Sequence, residues 1–160
     1  MQYRLLSKEQ FETLHNEFSK FLATQKIDKK EWDLLKSTNS VQVQKQLDNF
    51  SDLVWEEVLN KTKYLEHFSK ASLNLFQCNE TNISRIVVRV EKKNFDFNQQ
   101  KDFQWFIDNS KDESIHYFKG KKEYKPTRNQ ELFDLIEKGA NLADSKLFNA
   151  INSLIKPRVS

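Results

Sequence analysis

Two Glu-x-x-His pairs, Glu12 with His15 and Glu113 with His116, have the ligand spacing from which carboxylate-bridged di-iron bundles build a metal centre. Such a centre needs both pairs on facing helices. Glu12 and His15 fall in a segment of helical periodicity, but Glu113 to His116 falls where the pattern alternates like a strand, and residues i and i+3 of a strand point to opposite faces. His15 then reads as the polar flank of the face formed by Phe11, Leu14 and Phe18, and no metal and no cofactor are expected. Cys78 has the chemistry of a nucleophile, and His67 and His116 flank the same region, so a small Cys/His hydrolase is one reading. A lone cysteine at a strand end is more often a small buried apolar residue. Glu56 and Glu57, adjacent on a helix, point about 100° apart and suit a solvated face better than an acid/base pair.

The basic residues carry a sharper signal. Arg85, Arg89 and Lys93 recur every fourth residue, roughly 13 Å apart along a strand, on the face opposite Ile86, Val88 and Val90. Further on, Lys119, Lys121, Lys122, Lys125 and Arg128 are interleaved with Tyr117, Phe118 and Tyr124, the combination that contacts phosphates and stacks on bases. The ordinary alternative is a solvated lysine-rich loop. The formal charge of +3 is too small to imply nucleic acid by itself, but residues 1 to 80 carry net −1 and residues 81 to 160 net +4, so an anionic partner favours the second half.

Composition excludes most other chemistry. With only Gly120 and Gly139, the chain has no Walker loop, dinucleotide fingerprint, kinase glycine loop or nucleophile elbow. One cysteine precludes an internal disulfide or a multi-thiolate zinc site. The opening residues lack the apolar core of a signal peptide and no run approaches a membrane span, so a cytoplasmic protein without membrane contact is expected. The sequons at Asn60 and Asn79 are then chance matches. Thirteen Phe, four Tyr and three Trp in 160 residues supply a bulky core, and one domain is expected over 1–160. Lysine, asparagine and phenylalanine, all with AT-rich codons, are unusually common.

These residues must be positioned by helices first and strands second. Ser7 with Gln10, and Asp28 with Glu31, form capping boxes, flanked by the staples Leu6/Phe11 and Ile27/Trp32. They predict a helix from Lys8 to about Gln25 and a short one ending near Asn39. Val43, Leu47, Phe50, Val54 and Val58 continue the spacing as one long helix, or as two if Ser51 and Asp52 restart it. Tyr64, Leu65 and Phe68 close this helical layer at about residue 70. Leu73 and Leu75, then Ile86, Val88 and Val90, alternate about an Asn79–Asn82 turn as a hairpin. Asn98 caps a helix bearing Phe103, Phe106 and Ile107, which leaves Trp105 either in the core or at an interface. Ser114 to Lys119 is a third strand ending at Gly120. C-terminal helices follow, one capped by Thr127 and stopped by Gly139, one from about Asp144 to Ile155 before Pro157. The fold expected is α+β: a helical N-terminal layer (1–70), a small, mostly antiparallel three-stranded sheet with one inserted helix (71–120), and C-terminal helices (121–160). The N-terminal seventy residues contribute no strand.

Leu5 to Thr24, Phe50 to Phe68 and Asp102-Phe-Gln-Trp-Phe106 resemble an uncharacterised family of short cytoplasmic proteins from Bacteroidota, particularly flavobacteria. The resemblance spans nearly the whole chain. It implies a lineage-restricted accessory role and transfers no catalytic residue. The expected function is non-enzymatic docking on structured RNA or a ribonucleoprotein such as the ribosome. A protein–protein adaptor is the alternative, using an aromatic patch on the helical half with Trp32 or Trp55 as anchor; their staple positions favour internal packing instead. If Glu12 and His15 are only a helix flank, purified protein carries no stoichiometric iron, manganese or zinc by elemental analysis, and His15→Ala leaves its metal content unchanged.

Overall fold

A computed structural model describes residues 1–155; the stop signal at Pro157 lies outside the described residues. The residues group into two compact units, Met1–Asn60 and a second beginning at Lys61.

In the first unit the expected capping chemistry is in place. The Ser7 hydroxyl accepts from the Gln10 N–H at 3.1 Å while the Ser7 N–H donates to Gln10 Oε1 at 2.8 Å. The helix it opens is nonetheless two: α1 (Lys8–Thr13) breaks at Leu14 and α2 (His15–Thr24) resumes. Thr13 donates its hydroxyl back to the Glu9 carbonyl at 3.0 Å, a local bond that bends helices. Asp28 caps α3 (Lys29–Thr38), and Asn39 Oδ1 takes the Gln42 N–H at the start of α4 (Ser40–Lys61).

Helix α4 is one uninterrupted helix, because Ser51 and Asp52 turn their capping chemistry on another segment. Buried Ser51 donates to the Leu47 carbonyl at 2.7 Å and accepts from the Leu6 N–H at 3.0 Å. Asp52 accepts from the N–H groups of Gln2 and Tyr3 at 2.8 and 2.9 Å. Phe50 stands between the rings of Phe11, Phe18 and Phe21 at 6.1, 5.0 and 5.5 Å, and Trp32 meets Phe18 edge-on at 5.3 Å. Each such pair contributes about 0.5–1.5 kcal/mol beyond its buried area. Trp55 is buried, with the Arg4 guanidinium 5.1 Å from its ring.

The second unit holds a five-stranded antiparallel sheet, not three strands. Its strands are β1 (Tyr64–Phe68), β2 (Ser72–Cys78), β3 (Asn82–Val90), β4 (Ile115–Glu123) and β5 (Asn141–Ala143), in the order β4-β3-β2-β1-β5. Helix α5 (Gln100–Asp108) is inserted before β4, α6 (Arg128–Glu137) joins β4 to β5, and α7 (Lys146–Ile155) follows. The helical layer therefore ends at Lys61, and Tyr64 to Phe68 is a strand within the first seventy residues. It lies between two neighbours with fully buried Leu65 on one face and half-buried Tyr64 and Phe68 on the other, so period-two alternation is lost and the spacing mimics a helix. Strand β5 is three residues long, too short for a periodic signal. Strand β4 runs through Gly120 to Glu123 rather than ending there; its charged outer half is ordinary for a sheet edge.

Alternation places Leu73, Leu75, Ile86, Val88, Val90 and Ile115 on one face, against Phe106 of α5 and Phe148 and Ile151 of α7. Phe95 and Phe97, from the loop before α5, complete this core. Asn98 is not the cap of α5: Gln99 holds that position without a side-chain bond, and Asn98 donates to Asp96 Oδ1. Ile107, expected on the core face, is exposed, while Trp105 packs half-buried beside Phe95 with the Lys92 ammonium 3.7 Å from its ring. Thr127 caps α6 as expected, and Gly139 ends it at φ +113° with the Gly139 and Ala140 N–H groups returned to the Ile136 and Leu135 carbonyls.

Ser51→Ala orphans the buried Leu6 N–H and is expected to cost about 1–3 kcal/mol in urea denaturation. Ser37→Ala, whose hydroxyl bonds only its own exposed helix, is expected to stay within about 0.5 kcal/mol of the parent.

Candidate nucleic-acid interface

The strand register decides which basic residues can act together. On the sheet face turned away from α5 and α7, Arg85 lies opposite Gly120, Val87 opposite Phe118, Arg89 opposite His116 and Ile83 opposite Lys122. Among the described residues, no strand position on this face is Asp or Glu. The exposed guanidinium of Arg89 lies 5.6 Å from the Phe118 ring, which is itself 52% exposed, and that of Arg85 lies 5.7 Å from Phe76. His116 Nε2 lies 3.4 Å from a carboxylate oxygen of Glu91.

The remaining residues expected in the patch are dispersed. Lys119 and Lys121 pair with Ile86 and Ser84 and so belong to the opposite face, where Lys119 donates to Asn152 of α7 at 2.6 Å. Lys93 is exposed in the turn after β3, beyond the strand end at Val90, so the row of Arg85, Arg89 and Lys93 is broken. Arg128 is inward-bound: it donates to the carbonyls of Asn79 at 3.2 Å, Thr62 at 2.5 Å and Cys78 at 3.4 Å, and to Asn129 Oδ1. Tyr124 gives its hydroxyl to the Asn79 carbonyl at 2.6 Å, and burial, with Cys78 beside it, pushes its phenol up to about 12. Lys125 is exposed, its N–H held by Glu131 Oε1 at 2.8 Å, with the following bond to Pro126 cis. Of the expected set, Arg85, Arg89 and Lys122 share the open face; Lys122 is also paired with Glu131 Oε2 at 2.9 Å.

Helix α6 crosses the same face. Its first residue, Arg128, is tied to the β2–β3 turn, and the space where a Cβ on Gly139 would stand is 3.1 Å from His67 Nε2 on β1. Between α6 and the strands lies a cleft of about 560 Å³, lined by residues that include His67, Asn74, Phe76, Arg85, Gly120, Lys122, Leu135 and Lys138. The sequence does not reveal this cleft, because Gly120 reads as a strand end and its place inside β4 emerges only with the strand pairing.

The other chemistries lose their geometry. Cys78 pairs with Ile83, while His67 pairs with Asn74 and His116 with Arg89. Four and six strand residues therefore separate the thiol from the two imidazoles, roughly 13 and 20 Å, too far for a dyad. Burial pushes the Cys78 thiol up to about 12, which the nearby Arg128 offsets only in part. Glu12 and His15 are exposed on opposite sides of the break at Leu14, and Glu113 precedes β4. Among the described residues no three His, Cys, Asp or Glu side chains are placed to hold a metal ion, and no helix is long and apolar enough to cross a membrane.

The molecule is thus an α+β protein whose antiparallel sheet has one face filled by α5 and α7 and the other partly covered by α6, its uncovered part cationic and partly aromatic. Its sequence belongs to the family of unknown function DUF6495, whose model matches residues 1–156. No curated protein and no solved structure is significantly similar to it.

A buried, protonated thiol reacts slowly. Iodoacetamide at pH 8 is expected to leave Cys78 of the folded protein largely unmodified while labelling it fully in guanidinium, read by intact mass.

Proposed function

We propose that the protein is a non-enzymatic accessory factor of the cytoplasm that binds an unpaired stretch of a structured RNA or ribonucleoprotein across the open face of its sheet. The observation that carries this is the cross-strand group Arg85, Arg89 and Phe118: exposed cations and an exposed ring on one surface to which the strands contribute no carboxylate. Antiparallel sheets bind single strands in this way, with bases stacked on outward aromatics and guanidinium planes and the backbone drawn by the surrounding positive charge. The contact set of this reading is Arg85, Arg89, Phe118 and Lys122, which share one sheet face, with Lys93 and Lys125 at its margins. The resemblance to short proteins of Bacteroidota agrees with such a lineage-restricted role.

A protein adaptor would instead place its partner on the helical unit, where Leu34 and Val41 are strongly exposed. Copurification from native lysate with and without RNase separates the two readings. For the RNA reading, anisotropy of a fluorescein-labelled oligouridine gives the direct test. Phe118→Ala is expected to weaken binding about 5- to 100-fold, and Arg89→Ala to weaken it and flatten its dependence on salt. Lys119→Ala, on the opposite face, is expected to change little. Equal binding by the parent and the Phe118 and Arg89 variants, or no salt dependence, defeats the proposal.

A further inference from the structure

The cleft under α6 has a composition of its own. Its acidic residue, Glu131, has both oxygens occupied, one by the Lys122 ammonium and one by the Lys125 N–H. Hydrogen-bond donors are in excess. Arg85 spends Nε and Nη2 on Asn74 Oδ1, at 3.1 and 2.5 Å, which holds the guanidinium in place while Nη1 donates to nothing among the described residues. The Asn74 amide nitrogen and the Lys138 ammonium likewise have no acceptor there. The rest of the lining includes Phe76, Ile83, Leu135 and Ala140, which are apolar.

Gly120 supplies an independent observation. Its backbone is not in the left-handed region that favours glycine, and a strand glycine costs about 0.5–1 kcal/mol relative to alanine, so the conformation gives no reason for it. A Cβ at that position would meet nothing within 4 Å, and Gly120 lines the cleft. The missing side chain leaves that part of the cleft wall as bare backbone. At about 560 Å³ it is in the size range of small-molecule sites.

We propose that this cleft binds a small organic anion, its apolar body resting on Phe76 and Leu135 and its carboxylate or phosphate head meeting Arg85, the Asn74 amide and Lys138. The site is distinct in kind from the proposed RNA contact, sharing Arg85 and Lys122 with it, and stands without it.

Titration of 15N-labelled protein with benzoate and with phenyl phosphate, followed by amide shifts, tests it. One or both are expected to give saturable shifts at Asn74, Arg85, Gly120 and Ala140, and whichever binds identifies the head group. Benzyl alcohol, which lacks the charge, and inorganic phosphate, which lacks the apolar body, are expected to bind at least about tenfold more weakly. Gly120→Val projects two methyl groups into the cleft where space is free and is expected to weaken binding at least about tenfold while keeping the parent melting temperature. Arg85→Gln, at an exposed position, is expected to weaken binding about tenfold. No saturable shift with either anion overturns the proposal, as does undiminished affinity in the folded Gly120→Val protein. Undiminished affinity in Arg85→Gln does the same whether or not the valine variant folds.

Discussion

The guanidinium of Arg128, at the first turn of α6, gathers three backbone carbonyls from one end of the sheet: Thr62 ahead of β1, Cys78 at the end of β2 and Asn79 in the turn beyond it. Strand ends leave carbonyls that the ladder cannot pair, and buried ones must find donors. A planar, permanently charged donor satisfies several at once and makes stronger bonds than a neutral group would. The Tyr124 hydroxyl adds a bond to the same Asn79 carbonyl. This knot fixes where α6 begins, and the rest of the open face follows from that.

The topology explains why α6 lies where it does. Strands β1 to β4 form a meander, which leaves the chain at the β4 edge, while β5 pairs with β1 at the other edge. The connection must cross the sheet, and one face is already filled by α5 and α7. Helix α6 therefore crosses the opposite face, starting at Arg128 and ending where Gly139 lets the chain pass His67. It covers only part of that face. Phe118, Arg85 and Arg89 remain in solvent, and the space between helix and strands is the cleft over Gly120.

Much of the local structure was written in short-range chemistry. The caps at Ser7, Asp28 and Thr127, the glycine stop at Gly139 and the β2–β3 hairpin depend on residues within a few positions of one another, so their types and spacing are sufficient. Where the pattern misled, a distant partner had taken over. Ser51 and Asp52 have the composition of a helix start, but they hold Leu6, Gln2 and Tyr3. Tyr64 to Phe68 has a strand's geometry without its alternation because neighbouring elements bury apolar groups on both of its faces.

The basic segment divides in the same way. Sequence alone determined that net positive charge lies in the second half, interleaved there with Tyr117, Phe118 and Tyr124, and that Arg85 and Arg89 share a side of their strand, since a two-residue period is a property of the strand itself. Which lysines join them was decided only by tertiary structure. The register of β4 against β3 sends Lys122 to their face and Lys119 and Lys121 to the other, and the carbonyls at the sheet end claim Arg128. A one-residue shift in pairing would reverse every one of those faces. That shift is excluded by long-range contacts, the burial of Val88, Val90 and Ile115 against α5 and α7, which no local pattern encodes.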